Sequence, residues 1–93
     1  MAIDPEPLEG RLRREFGGPP GESRVVVRQA VDLDGSGRYE ADTGNYFDNE
    51  LVMQELTGAA DGTPADRWNW WMGSLEVVYG GYEEFAIRRY RRE

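Results

Sequence analysis

Leu8, Leu12 and Phe16 recur at four-residue steps, the spacing that lines up side chains on one side of a helix. Ile3-Asp4-Pro5 in front of them reads as a helix start, with Asp4 as N-cap, Pro5 at the first helical position and Ile3 placed to staple onto Leu8. Arg11, Arg13 and Arg14 turn to solvent, and Gly17-Gly18-Pro19-Pro20 ends the helix.

The next segment, residues 22–34, supports two readings. Val25, Val27, Val31 and Leu33 alternate as a strand face with Gln29 intruding, and the β-branched run Val25-Val26-Val27 favours a strand. Val26, Val27, Ala30 and Leu33 fit a helical stripe equally well. Length favours the helix, because the stretch between Pro19-Pro20 and Gly35 exceeds about ten residues, twice a usual strand. A strand followed by a hairpin turn at Asp34-Gly35-Ser36-Gly37 remains the alternative.

Two later starts are better marked. Asp48 caps a helix with Phe47 before it and Val52 inside it, a hydrophobic staple; Leu51, Val52 and Leu56 form its buried edge, and Gly58 closes it. Thr63-Pro64-Ala65-Asp66 is a capping box with proline at the first position, and it predicts a helix from about residue 64 to 79, stopped by Gly80-Gly81. On that helix Trp68, Trp71, Met72, Leu75, Val78 and Tyr79 line one broad face, an ordinary core stripe. Trp70 and Val77 sit seven residues apart on roughly the opposite side, with Gly73 and Ser74 between them. A helix apolar on two sides is either central in its domain or has a partner, and a chain this short has little material with which to surround it.

After Gly80-Gly81, the tail from Tyr82 to Tyr90 alternates around Phe85 and Ile87 and reads as a strand. A strand needs a neighbour; with residues 22–34 helical none remains in the chain, so the tail is expected to pair with a second copy or another protein. The fold expected is therefore one domain over residues 1–93, mainly α, a small multi-helix domain with a C-terminal β-strand. The alternative is α+β, with a short antiparallel sheet from residues 24–33, 38–42 and 82–90.

Composition narrows the chemistry. The 93 residues include no Cys and no His, which removes disulfides, zinc fingers, thiol nucleophiles and the usual general base. No phosphate-cradling glycine loop, nucleophile elbow or metal-spaced carboxylate pair is present, so neither catalysis, nor a cofactor, nor a small-molecule substrate is expected. No apolar run reaches the roughly 20 residues of a membrane span, and no charged-then-apolar leader opens the chain, so a cytoplasmic protein without a membrane partner is expected.

All 11 basic residues are arginine and the net charge is −7. Residues 32–66 carry nine acids against Arg38 alone, while the flanking thirds are near balance. Acid excess with complete loss of lysine resembles the small acidic proteins of haloarchaea, and that resemblance, which covers the whole chain by composition only, implies a salty cytoplasm.

Two local clusters suggest ligands. Asp32-Leu33-Asp34-Gly35-Ser36-Gly37-Arg38-Tyr39-Glu40 resembles the opening of an EF-hand loop, and the resemblance implies a Ca²⁺ site of Asp32, Asp34, Ser36 and Glu40. The twelfth position is Thr43 in place of the bidentate glutamate, and Arg38 stands beside the site, so a solvated acidic turn is the simpler reading. Arg88, Arg89, Tyr90, Arg91 and Arg92 form a basic, aromatic end able to touch phosphates and stack on a base. The acidity of the rest of the chain opposes a polyanion, and docking of these arginines on acidic protein surface ranks above nucleic acid.

The function these residues favour is a non-enzymatic protein–protein interaction or assembly protein, with another protein or a second copy of itself, as a homodimer, for partner. Its expected interface comprises Trp70, Gly73, Val77, Tyr82, Phe85 and Ile87. A nucleic-acid accessory role through Arg88–Arg92 and Ca²⁺ binding through Asp32–Glu40 are the alternatives.

Overall fold

The computed structural model describes residues 2–88. Five α-helices, α1 (Pro5–Phe16), α2 (Glu22–Ser36), α3 (Arg38–Thr43), α4 (Asn49–Thr57) and α5 (Pro64–Val78), are followed by a 3-10 turn at Glu83–Phe85. The chain is mainly helical, and no strand occurs among the described residues.

The start signals act much as their chemistry requires. Asp48 accepts from Leu51 N at 2.9 Å. At α5 the Thr63 hydroxyl accepts from Asp66 N while Asp66 Oδ2 accepts from Thr63 N, closing the capping box. Asp4 differs: it occupies the N-cap of α1 in extended backbone, but its side chain makes no cap hydrogen bond; its own backbone is held by Asn49, which donates from Nδ2 to Asp4 O and accepts from Asp4 N, both at 3.0 Å.

The valine run of residues 25–27 is helical. Val26, Val27, Ala30 and Leu33 are all buried, whereas Val25 is exposed. Burial of a stripe along a 15-residue helix outweighs a β propensity that spans only about 1 kcal/mol. α2 ends at Gly37, whose positive φ of 69° turns the chain into α3, and Gly44 ends α3 the same way.

α5 is the organising element. It packs against α1, α2, α4 and the 3-10 turn, while α1 also packs on α2 and α4. One core joins Leu8 and Leu12 of α1, Val26, Ala30 and Leu33 of α2, Val52 and Leu56 of α4, and Trp68, Trp71 and Met72 of α5.

The expected C-terminal strand over residues 82–90 is corrected for residues 82–88: the chain makes a 3-10 turn there, and residues 89–90 lie outside the described part. The alternative sheet of residues 24–33, 38–42 and 82–90 is corrected likewise, since its first two segments fall in α2 and α3. Tyr82 and Phe85 stand three residues apart, which in a 3-10 turn places both on one side, and both are buried in the core. Ala86 resumes extended backbone. Its successor Ile87 finds its hydrogen bonds on a side chain in place of a neighbouring strand.

Candidate functional site: residues 67–71 and the outer face of α5

Five consecutive residues of α5 point to different neighbours, because each helical step rotates the side chain by about 100°. Arg67 reaches back to the end of α4, donating from Nε to Gly62 O at 2.7 Å and from one terminal nitrogen to Leu56 O at 3.0 Å and Ala59 O at 3.3 Å. Its guanidinium lies 4.3 Å from the centre of the Phe16 ring. One arginine thereby ties together three carbonyls between Leu56 and Gly62 and covers the last residue of α1.

Trp68 is fully buried and donates from Nε1 to Phe85 O at 2.8 Å. Asn69 pairs with both backbone groups of Ile87, donating to its carbonyl at 2.9 Å and accepting from its amide at 2.7 Å. Trp71 stacks at 6.1 Å on Phe47 and meets the Tyr39 ring edge-on at 5.7 Å, with Trp68 perpendicular to it at 5.5 Å. These spacings suit paired aromatic rings in a core.

Trp70 differs from its neighbours. It is 48% exposed, and among the described residues its ring nitrogen has no hydrogen-bond partner. Its indole edge leans toward the end of α4, where a Cβ on Gly58 would stand 4.0 Å from it. Further along the same helix Val77 is 87% exposed, Val78 69% and Tyr79 44%. Gly73 and Ser74 between them are exposed, and a Cβ built on Gly73 would meet nothing within 4 Å among the described residues. The outer side of α5 thus presents Trp70 and Val77 with the small residues Gly73 and Ser74 between them, while Val78 and Tyr79 are exposed on other sides of the helix end, the Tyr79 ring 6.2 Å from that of Tyr82.

Of the expected interface residues, Trp70, Gly73 and Val77 share this face. Tyr82 and Phe85 do not, a correction that follows from their burial, and Ile87 is half-buried, held by Asn69 on another side of α5. The 3-10 turn is fastened by charged groups. Glu76 accepts from Tyr82 N at 2.7 Å and Glu83 N at 2.9 Å, which holds its carboxyl below the usual range. The buried Tyr82 phenol donates to Asp42 Oδ2 at 2.8 Å, and burial beside that carboxylate raises its pKa. Arg38 stands 5.2 Å over the Tyr82 ring, donates to Gly80 O at 3.1 Å, and pairs with Asp42 and Glu84. Gly81 has a φ of 82°, which strains any residue with a Cβ, and a Cβ there would also push that guanidinium aside.

The residues of the EF-hand-like segment have other tasks. Asp34 is helical, and its Oδ2 accepts from Ala2 N and Ile3 N at 2.9 and 3.0 Å. Ser36 donates to Leu33 O and accepts from Arg38 N, closing α2. Glu40 accepts from Phe47 N at 3.4 Å, and Asp32 is exposed on α2. Residues 32–36 continue α2 without the looped backbone that an EF-hand needs. No group of three or more acidic, His or Cys residues able to hold a metal occurs among the described residues.

An open groove of about 660 Å³ runs between Pro19-Pro20, Val25 and Asn69, with Arg88 at its edge and Glu22 and Asp66 on its walls. Arg88 is exposed there; Arg89, Tyr90, Arg91 and Arg92 lie outside the described residues. No helix among the described residues is long and apolar enough to cross a membrane.

The model of one protein family, described as the WNWW domain, matches residues 1–76. The chain belongs to the WNWW domain family. The letters of that description are those of Trp68-Asn69-Trp70-Trp71, the four residues whose distinct contacts have just been described. No curated protein and no solved structure matches the chain. Residues 77–88, which the family match does not reach, supply the carbonyl that Trp68 holds and the peptide that Asn69 holds. The sequence places Trp68, Trp71, Met72 and Leu75 in a core stripe and Trp70 outside it, as found, but Val78 and Tyr79, expected in the same stripe, are exposed because the core ends at Leu75. The role of Asn69 was missed, since its partner stands 18 residues further along; an asparagine inside an otherwise apolar helical segment was the one available signal.

Proposed function

We propose that this WNWW domain is a non-enzymatic protein-interaction module whose working surface is the outer face of α5. One observation carries the reading: in the run Trp68-Asn69-Trp70-Trp71, three side chains are consumed by core packing or by fastening the chain end, while Trp70 is half exposed. Trp70 and Val77 are exposed two turns apart on one side of α5 with only Gly73 and Ser74 between them, a placement that suits a docking surface. Tryptophan is also over-represented among the residues that dominate binding energy at interfaces. The absence of His and Cys, and the engagement of Asp34, Asp42 and Glu76 with backbone and phenol groups, support a binding role over catalysis.

A photo-crosslinking residue placed at Ser74, in the cells that make the protein, tests this. Discrete covalent adducts are expected from position 74 and none from a control at Arg24, which is exposed on α2. Failure of position 74 to form any adduct overturns the proposal.

A further inference from the structure

The described chain runs out along the groove beside Asn69. Trp68 holds the Phe85 carbonyl and Asn69 holds both backbone groups of Ile87, and Ile87 and Arg88 then form part of the groove's own lining. Residues 89–93 follow directly. Two peptide steps span at most about 8 Å, so Tyr90 falls within reach of the groove whatever path the backbone takes from Arg88.

Groove and segment match in chemistry. Pro19, Pro20 and Val25 are exposed and, with the half-buried Ala65 and Ile87, give the groove an apolar floor. Its volume of about 660 Å³ has ample room for one aromatic side chain, and proline rings are surfaces on which aromatic rings pack. Tyr90 is the aromatic residue of the segment. Glu22 and Asp66 stand on the walls, and the segment brings Arg89, Arg91 and Arg92 against Glu93 alone. Glu22 makes no ion pair among the described residues, and one of its carboxylate oxygens is shut off from water without a hydrogen-bond partner among them. A carboxylate half removed from water gains from a cation at its other oxygen.

Attachment selects the occupant. A segment joined to its site through a residue that already lines it acts at an effective concentration of about millimolar, which a separate peptide at micromolar concentration does not match. The net charge of −7 over the whole chain adds a general attraction for a basic segment.

We propose that this groove is a binding site for a basic, aromatic peptide segment and that the chain's own residues 89–93 occupy it, with Tyr90 against Pro19, Pro20 and Val25 and the arginines beside Glu22 and Asp66. The proposal is independent of the reading given to the outer face of α5. Docking there extends the fastening that Trp68 and Asn69 begin, and it turns the arginines toward carboxylates of the same chain and away from phosphates.

Nuclear magnetic resonance on the full chain in about 0.1 M salt reads the contact directly. Nuclear Overhauser effects are expected between the Tyr90 ring and the side chains of Val25, Pro19 or Pro20, unchanged on dilution. Tyr90→Ser, which alters no described residue, is expected to shift the Val25 and Ala65 methyl resonances, since a nearby ring is removed. Glu22→Gln is expected to keep the helical circular-dichroism signal and to speed tryptic cleavage after Arg88 and Arg89 at least about three-fold, because cleavage follows the undocked fraction and the bonds cut are unaltered. A Tyr90 ring without contacts to the groove, or cleavage equally fast in wild type and Glu22→Gln, overturns the proposal. So do the same contacts seen only between labelled and unlabelled chains in a mixed sample, which would assign the groove to a second copy.

Discussion

Asn69 makes with the peptide of Ile87 the pair of hydrogen bonds that a neighbouring strand would make, at 2.9 and 2.7 Å. Asn49 does the same for the peptide of Asp4, with both bonds at 3.0 Å. An amide side chain has one donor and one acceptor side, so it satisfies a peptide's N–H and C=O together. Each end of the described chain is thereby fastened to a helix without a sheet.

Removing that amide frees the C-terminal segment. Asn69→Ala is expected to cost about 2 kcal/mol, because Ile87 loses both partners in a half-buried place. Asn69→Asp keeps the acceptor and sets a carboxylate oxygen against the Ile87 carbonyl, so it is expected to cost at least as much. Denaturant unfolding measures the loss, and hydrogen exchange at the Ile87 amide is expected to accelerate in the Ala variant. Unchanged protection there would show that the pairing is dispensable.

Trp68 and Trp70, two positions apart, should respond oppositely to the same change. Trp68→Phe strips the donor from a buried carbonyl and leaves a void, at a cost of about 2 to 3 kcal/mol, and in a domain of this size each kcal/mol lowers the melting temperature by about 4 to 8 °C. Trp70→Phe falls on a half-exposed site and is expected to stay within about 0.5 kcal/mol. Thermal unfolding followed by circular dichroism reads both; equal losses would place Trp70 in the core and remove the basis for an α5 interface.

How much of this was legible depended on how local the cause was. The caps at Asp48 and Thr63 and the Leu8, Leu12, Phe16 stripe act within one helical turn, so sequence spacing reveals them. α3 was missed because Tyr39 is its sole buried residue and Gly37 reads as an ordinary turn until its left-handed backbone joins two helices. The tail was misread because Tyr82, Phe85 and Ile87 mix steps of three and two; the turn takes the first pair and extended backbone the last. Asp34 looked like a cation ligand because nothing in its neighbourhood shows that its carboxylate receives the amides of Ala2 and Ile3, more than 30 positions away. Trp70 was placed correctly outside the core stripe, since that needs only the helical period.

The two pH limits of stability have separate causes. Tyr82 has its pKa raised above the ordinary 10.0 by burial and by the Asp42 carboxylate, and burial and the charge of Glu55 raise that of Tyr39. A raised phenol pKa means that the folded state holds protons the unfolded chain releases; this stability is complete below pH 10 and is lost as pH climbs above it. Glu76 is lowered from its ordinary 4.5 by the amides of Tyr82 and Glu83, so its contribution is complete above that value and is lost as pH falls below it. Denaturation across pH is expected to show Tyr82→Phe flattening the alkaline limb and Glu76→Gln flattening the acid limb. Parallel curves for wild type and variants would refute these assignments.

Ser23 is 2% exposed, and its hydroxyl finds no hydrogen-bond partner among the described residues. A buried hydroxyl without a partner is a net cost, and alanine is the better helix former. Ser23→Ala is therefore expected to raise stability by about 1 kcal/mol in urea unfolding. A loss of that size would instead reveal a bond that Ser23 makes in solution.

Salt tests the acidic composition directly. Nine acids stand against Arg38 alone over residues 32–66, a span that takes in α3 and α4. The ion pairs among the described residues are few; Arg11–Glu50, the shortest at 2.6 Å, and Arg24–Glu9 each have one largely exposed partner, and exposed pairs contribute little. Screening therefore removes more repulsion than attraction, since the Debye length falls from about 10 Å at 0.1 M to about 3 Å at 1 M. The melting temperature is expected to rise with potassium chloride over that range. A chain that unfolds without salt would make its composition an adaptation to a salty interior. Equal stability with and without salt would mean that the acids are too far apart to matter, and would remove the physical ground for likening the chain to haloarchaeal proteins.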